Sequence, residues 1–226
     1  MLIIEKINKN YGKKNVLNDI SFSVDAGECI GLIGVNGSGK STLLNILAGS
    51  VKPDSGSFYF RERGKKISLL PQENPLIEEL TGKDNIKLWY SGKTKNLDSE
   101  FAKTILDNLG VSLFIDKKVK AMSGGMKKRL SLAICMLENP DVLLLDEPLA
   151  ALDILCRNGI LEYLKVYINQ GGSIILTTHE DAALSICNRI CTLKNGALTE
   201  MPIYKNADLN KTKISAGTYY SMLLNN

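Results

Sequence analysis

Apolar and polar residues alternate over positions 2 to 7 and again over 20 to 24, the period of two expected of strands that bury one face. Between them, Asn8 to Asp19 is mostly polar and contains a Tyr-Gly turn, so the N-terminal stretch reads as an antiparallel β region. From Cys29 to Ile33 the residues form an unbroken apolar run, the mark of a strand buried on both faces. Leu43, Leu44 and Leu47 then recur at helical spacing, and Gly49 is suited to end that helix. Pro53 to Gly56 reads as a turn, followed by strands over Ser57 to Glu62 and Ile67 to Leu70.

After Leu70 the period lengthens to that of helices. Asp84 to Tyr90 and Ser99 to Leu109 are expected helices, and a third opens after Ser123, which can cap it. Leu76, Ile77, Leu80 and Trp89 in this stretch are either satellite core or part of a docking groove for another protein. Residues 141 to 148 return to an apolar run that ends in Asp146, Glu147 and Pro148, and Asp153 can cap the helix that follows. Residues 172 to 178 are expected as the last core strand, 180 to 188 as a helix, and 190 to 193 with 197 to 199 as a hairpin about Asn195-Gly196. Beyond Ile203 the pattern fades into a polar tail carrying Tyr219, Tyr220, Met222 and Leu223.

Composition narrows the setting. At 226 residues and 44% hydrophobic content the chain can bury a globular core. No run approaches the roughly 18 apolar residues that a membrane-spanning helix needs. The start, Met-Leu-Ile-Ile-Glu-Lys, lacks a secretory signal, so a cytoplasmic setting is expected. The five cysteines, at 29, 135, 156, 187 and 191, form no C-x-x-C pair and are expected to be reduced thiols. A net charge of +4 is too small to point to a polyanionic partner, and the run Lys117, Lys118, Lys120, Lys127, Lys128 and Arg129 reads as a solvated face.

The chemistry begins at Gly34, Gly39, Lys40 and Ser41, which fit the spacing G-x-x-x-x-G-K-[ST] between the apolar run and the helix. Glycines at those places let successive backbone N–H groups turn toward a phosphate, Lys40 reaches the β and γ phosphates, and Ser41 ligates Mg²⁺. ATP with Mg²⁺ is the expected ligand. Adjacent carboxylates at the end of a buried strand are costly without a purpose, and the pair divides the work: Asp146 holds the metal and Glu147 orients or deprotonates water. Gln72 and His179, the one histidine, also stand where apolar strands stop, the edge at which α/β sheets place ligands. Tyr11 either stacks on a base or closes its turn over the core, and Ser123-Gly124-Gly125 opens a helix whose free N–H groups suit an anion.

The ordered set resembles the ATP-binding subunit of ABC transporters over nearly all of residues 1 to 200. Gly34 to Thr42 is similar to the Walker A loop, with Gly34, Asn36, Gly37, Ser38, Gly39, Lys40, Ser41 and Thr42 as nucleotide contacts. Gln72 resembles the Q-loop residue, Ser123 to Met126 the signature, Asp141 to Glu147 Walker B, Ala150 to Asp153 the D-loop and His179 the switch histidine. The resemblance implies an α/β fold: a P-loop core with a mostly parallel sheet and an antiparallel β subdomain (1–72 and 140–200), and an inserted helical subdomain (73–139). It also implies that Tyr11 stacks on adenine, that Gln72 senses Mg²⁺ and that His179 meets the γ-phosphate beside the catalytic Glu147. In the family two subunits pair head to tail, so Ser123, Gly124 and Gly125 serve the ATP of a second subunit, as homodimer or heterodimer. The implied partner is an integral-membrane transporter subunit, and the implied location is peripheral on the cytoplasmic face of a membrane.

Met122, Met126 and Ala150 depart from the Leu, Gln and Ser common in the family, while the phosphate-binding Ser-Gly-Gly is intact. Ser-Gly-Gly-Met-Lys-Lys-Arg is similar to the subgroup serving multidrug, antibiotic or ion exporters, which implies export. The alternative is a DNA-repair or chromosome-organising ATPase of the same superfamily. Such chains carry a long coiled coil between the two halves of the site, and the stretch from Lys40 to Ser123 shows no sustained heptads, so no nucleic acid is expected.

Overall fold

Bulges lengthen the first hairpin beyond its alternation pattern. The computed structural model describes residues 1–90 and 97–201, so the expected tail from 203 lies outside the described residues. Strands β1 (Leu2–Tyr11) and β2 (Lys14–Val24) pair antiparallel from Leu2 opposite Val24 to Tyr11 opposite Lys14. The expected polar connection over Asn8 to Asp19 is therefore corrected: most of it is paired strand. Register shifts after Ile4, Ile7 and Lys9 break the period of two, which is why the outer halves of both strands do not read as strands. Past β3 (Cys29–Ile33) and α1 (Lys40–Leu47), β4 (Ser55–Phe60) returns to pair with β1 and completes a three-stranded antiparallel sheet.

The remaining elements are β5 (Ile67–Leu70), α2 (Gly82–Trp89), α3 (Glu100–Asn108), α4 (Gly124–Leu137), β6 (Val142–Asp146), α5 (Ile154–Asn169), β7 (Ser173–Thr177), α6 (Asp181–Leu184), β8 (Arg189–Lys194) and β9 (Ala197–Met201). Thr81, Ser99, Ser123 and Asp153 cap α2, α3, α4 and α5, each side chain accepting from the backbone N–H three residues on. The second sheet has the order β5-β6-β7-β3-β8-β9, parallel except for β9. Residues 172 to 178 are thus not the last core strand, because β8 continues the sheet on the far side of β3. The expected helix over 180 to 188 shrinks to α6, since Asn188 already bonds the Cys29 backbone through both its N–H and its Oδ1.

Strands β3, β6 and β7 are buried along their whole length, and their side chains alternate between two cores. Val142, Leu144 and Ile175 meet α1 and the antiparallel sheet, whereas Leu143, Leu145 and Leu176 meet the helices α3, α4 and α5. Ile86, Leu106 and Leu130 of the helical stretch belong to the same buried cluster as Leu143, so that stretch is packed directly on the sheet. Each such leucine contributes about 1.5–3 kcal/mol by burial. Among the described residues no helix is long and apolar enough to cross a membrane, and all five cysteines are free thiols.

Candidate active site

The glycine loop is held open by its neighbours. Gly39 has φ +108°, and a Cβ there would lie 2.8 Å from Val16 Cγ1 and 2.9 Å from the Val16 carbonyl, so only glycine lets β2 abut the loop. Lys40 is 7% exposed, and its ammonium donates to the Gly34 carbonyl at 2.7 Å. Burial lowers its pKa below the usual lysine value, opposed by Glu147 and Asp146. Three features fit a polyphosphate here. Among the described residues the Ser38 hydroxyl is buried without a hydrogen-bond partner, Gly39 at the N-cap of α1 offers no side-chain cap, and the Lys40 cation is already folded onto the loop. Ser41 and Thr42 lie in the first turn of α1, and a cavity of about 340 Å³ adjoins Asn36, Gly37 and Ser38.

The sheet order delivers the acids to the same edge, because β6 and β7 are neighbours and β7 is paired to β3. Asp146 ends β6, and the Thr177 hydroxyl donates to Asp146 Oδ1 at 2.5 Å while accepting from the Glu147 N–H at 3.0 Å. Thr177 therefore fixes both carboxylate-bearing residues, a role that its place inside an apolar strand does not announce. Glu147 itself has φ +49°, in the left-handed region that is costly for a residue with a side chain and that persists where the surroundings enforce it. Its Oε1 lies 3.2 Å from His179 Nε2. Burial raises the Glu147 pKa above the usual carboxylate value, against the pull of Lys40, and burial with the nearby Lys40 charge lowers that of His179. The pair is thus arranged as a neutral imidazole beside a carboxylate of increased basicity, suited to accept a proton from water. The oxygen donors Asp146 and Ser41 fit a hard cation such as Mg²⁺, which when bound would neutralise phosphate charge.

Other expected residues stand apart from this cluster. Gln72 is exposed just beyond β5, and its backbone carbonyl accepts from Lys128 Nζ at 3.1 Å. Lys128 corrects the reading of 117 to 129 as one solvated face: it is 4% exposed, Lys127 pairs with Glu78 at 2.7 Å, and Arg129 stacks on Phe114. Burial lowers the Lys128 pKa, opposed by Asp146, so this cation bridges α4, the Gln72 segment and the field of the acids. The signal in the sequence was its spacing, three and four residues from the buried Ser131 and Leu132. Tyr11 is 52% exposed where β1 ends, opposite Lys14, which lines the cavity beside the loop. Ser123 caps α4, Gly125 packs on Cys156, and a Cβ on Gly124 would meet no described residue within 4 Å. Among the described residues, none that lines the cavity at the loop comes from that turn.

A family model described as "ABC transporter" matches residues 17–150. The chain belongs to the ABC transporter family. Its relatives include the "Nod factor export ATP-binding protein I" of Burkholderia lata, 35% identical over 202 residues that make up 84% of this chain and 66% of that protein. The protein of the same name from Rhizobium sp. (strain N33) is 36% identical over the same shares. The chain thus spans just under two thirds of the length of these relatives. Among solved structures, a dimeric post-hydrolysis state of an ATP-binding cassette bound to ADP and Pi superposes with TM-score 0.77 at 26% identity, covering 89% of this chain and 99% of that one. The α/β P-loop fold of an ABC ATP-binding subunit is the one expected from the ordered motifs, and the family is one of ATP hydrolases. Between Lys40 and Ser123 the longest described helix, α3, has nine residues, so the described part of that stretch holds no coiled coil of the rival ATPases.

Proposed function

We propose that this ABC subunit binds and hydrolyses Mg-ATP and drives export of a substrate through a separate membrane-spanning partner. The observation that carries the reading is the contact of Glu147 with His179 beside Lys40 and Asp146, a base poised at a phosphate loop. In this reading Ser41, Asp146 and Gln72 hold Mg²⁺, the residues Gly34 and Asn36 to Thr42 hold the phosphates, and Tyr11 stacks on adenine. Ser123, Gly124 and Gly125 complete the site of a second cassette, which makes the dimer the active form. Their outward-facing turn supports this, as does the dimeric state of the solved relative.

The membrane partner enters at a groove of about 430 Å³ between α1 and α4, where Leu76, Trp89 and Ile134 present apolar surface next to Pro71. An occupant there would touch the segment that ends in Gln72, which links the groove to the metal. The chain is accordingly peripheral on the cytoplasmic face of a membrane, with residues 73–139 as the part that meets the partner. Export is supported by the names of the relatives, which are Nod factor export ATP-binding proteins. The test is purification of the tagged chain from its native membranes: a multi-span membrane protein is expected to accompany it, and the Trp89→Asp variant should lose that protein while still binding ATP. A chain that is found alone and whose ATPase is stimulated by DNA or ribosomes would overturn the reading.

A further inference from the structure

The exposed ring of Tyr11 has a partner on one face. Lys9 Nζ sits 5.5 Å from the ring centroid, and it is anchored there by the Asp54 carboxylate at 2.9 Å and the Lys52 carbonyl at 2.8 Å. An ammonium has three donors, so two hold it to the turn after α1 and the third is left for the ring. The anchor is itself anchored: Asp54 Oδ2 accepts from the Asn10 N–H at 2.7 Å, and the Asp54 N–H donates to the Asn8 carbonyl at 2.9 Å. The Lys9 hydrogen bond holds the Asp54 carboxyl below the usual carboxylate range, in keeping with a formed ion pair. The Lys9 side chain is only 15% exposed, whereas Tyr11 is 52% exposed.

We infer that Lys9 is a positioning residue for the nucleotide base: it occupies one face of the Tyr11 ring, and the ring's other face is thereby offered to a purine. The inference rests on the stacking role of Tyr11. Two physical effects follow from the placement. A cation over one face draws on the ring's electron density and reduces its repulsion of an electron-rich base stacked on the opposite face. A ring fixed before binding also loses less freedom when the base arrives. The first gain grows with the overlap of base and ring, so it favours a two-ring purine over a one-ring pyrimidine, whereas the second is the same for any base that stacks.

The experiment is calorimetric titration of the full chain with ADP and, separately, with CDP. Lys9→Met should weaken ADP roughly two- to fivefold, the scale of an exposed cation–π contact, and should narrow the preference for ADP over CDP. Lys9→Arg should restore both. Asp54→Asn, which keeps the lysine and loosens its anchor, should give a smaller loss in the same direction and serves if Lys9→Met does not fold. In a Tyr11→Ala background Lys9→Met should have no further effect. An equal loss for ADP and CDP, or the same loss with Tyr11 removed, would mark Lys9 as merely structural and overturn the inference. If Tyr11→Ala weakens ADP and the Lys9 and Asp54 variants do not, only the role of Lys9 fails. If Tyr11→Ala leaves ADP binding unchanged, the stacking reading fails and the inference with it.

Discussion

Two glycine-rich helix starts in this chain have opposite surroundings. The loop before α1 is walled by β2 and β8, holds a buried cation and lies on the sheet edge that carries Asp146, Glu147 and His179. The turn before α4 has the better local cap, Ser123 bonded to the Met126 N–H, yet it presents Gly124 to open space. Both have the free N–H groups of a helix start, so the anion chemistry is equal in kind. What differs is the company that the sheet topology supplies. Under the proposed function the displayed turn would complete the phosphate site of another cassette, which the enclosed loop of its own chain leaves unfinished.

The contrast can be broken most strongly at its enclosed end. Glu147→Gln should cut hydrolysis by about 10²–10⁴-fold, the usual range for a positioned base, while ATP still binds and the dimer accumulates on size exclusion. Turnover near that of the parent would move the base elsewhere. At the displayed end, Gly124→Asp adds a charge where the chain itself offers no obstacle. Like charge set against phosphate costs several kcal/mol, so hydrolysis should fall on the order of a hundredfold while the melting temperature and the ATP affinity of the monomer stay the same. A loss of monomer affinity would show that the turn serves its own chain. Lys40→Ala should do the reverse and weaken ATP binding in the monomer by roughly 10- to 100-fold, read by calorimetry, because a charge-assisted hydrogen bond is lost.

The smallest effect concerns stability. The Glu147 pKa is raised in the folded chain, so its contribution is fully present below the ordinary value of 4.5 and is lost as pH rises through the folded value. Glu147→Gln should therefore stabilise the nucleotide-free, metal-free protein at pH 8 and lose that advantage near pH 4, as followed by urea melts at the two pH values. The expected result is a stability penalty confined to the enclosed half of the site.

Much of the enclosed half was legible in the residues. The strand Cys29–Ile33 was read to its ends, and the run to Asp146 and the Ser123 and Asp153 caps fell where expected, because continuous burial and local capping leave one-dimensional traces. The first hairpin was misread in its outer half since three register shifts erase the alternation. Thr177 was passed over, and Lys128 was read as part of a solvated face, for a different reason. Thr177 looks ordinary among its sequence neighbours, the helical spacing of Lys128 marks its burial but not its role, and the importance of each comes from a partner 31 or 56 residues away.

The order and spacing of the short motifs were thus sufficient to determine the fold family and the kind of ligand, since phosphate-binding backbone and strand-end acids depend on local chain geometry. Only the tertiary structure decided which of these groups meet. The β6-β7-β3 adjacency places Glu147 against His179, and the outward orientation of the Ser123 turn leaves Gly124 open. Long-range pairing of strands sets those distances, and no local pattern encodes them.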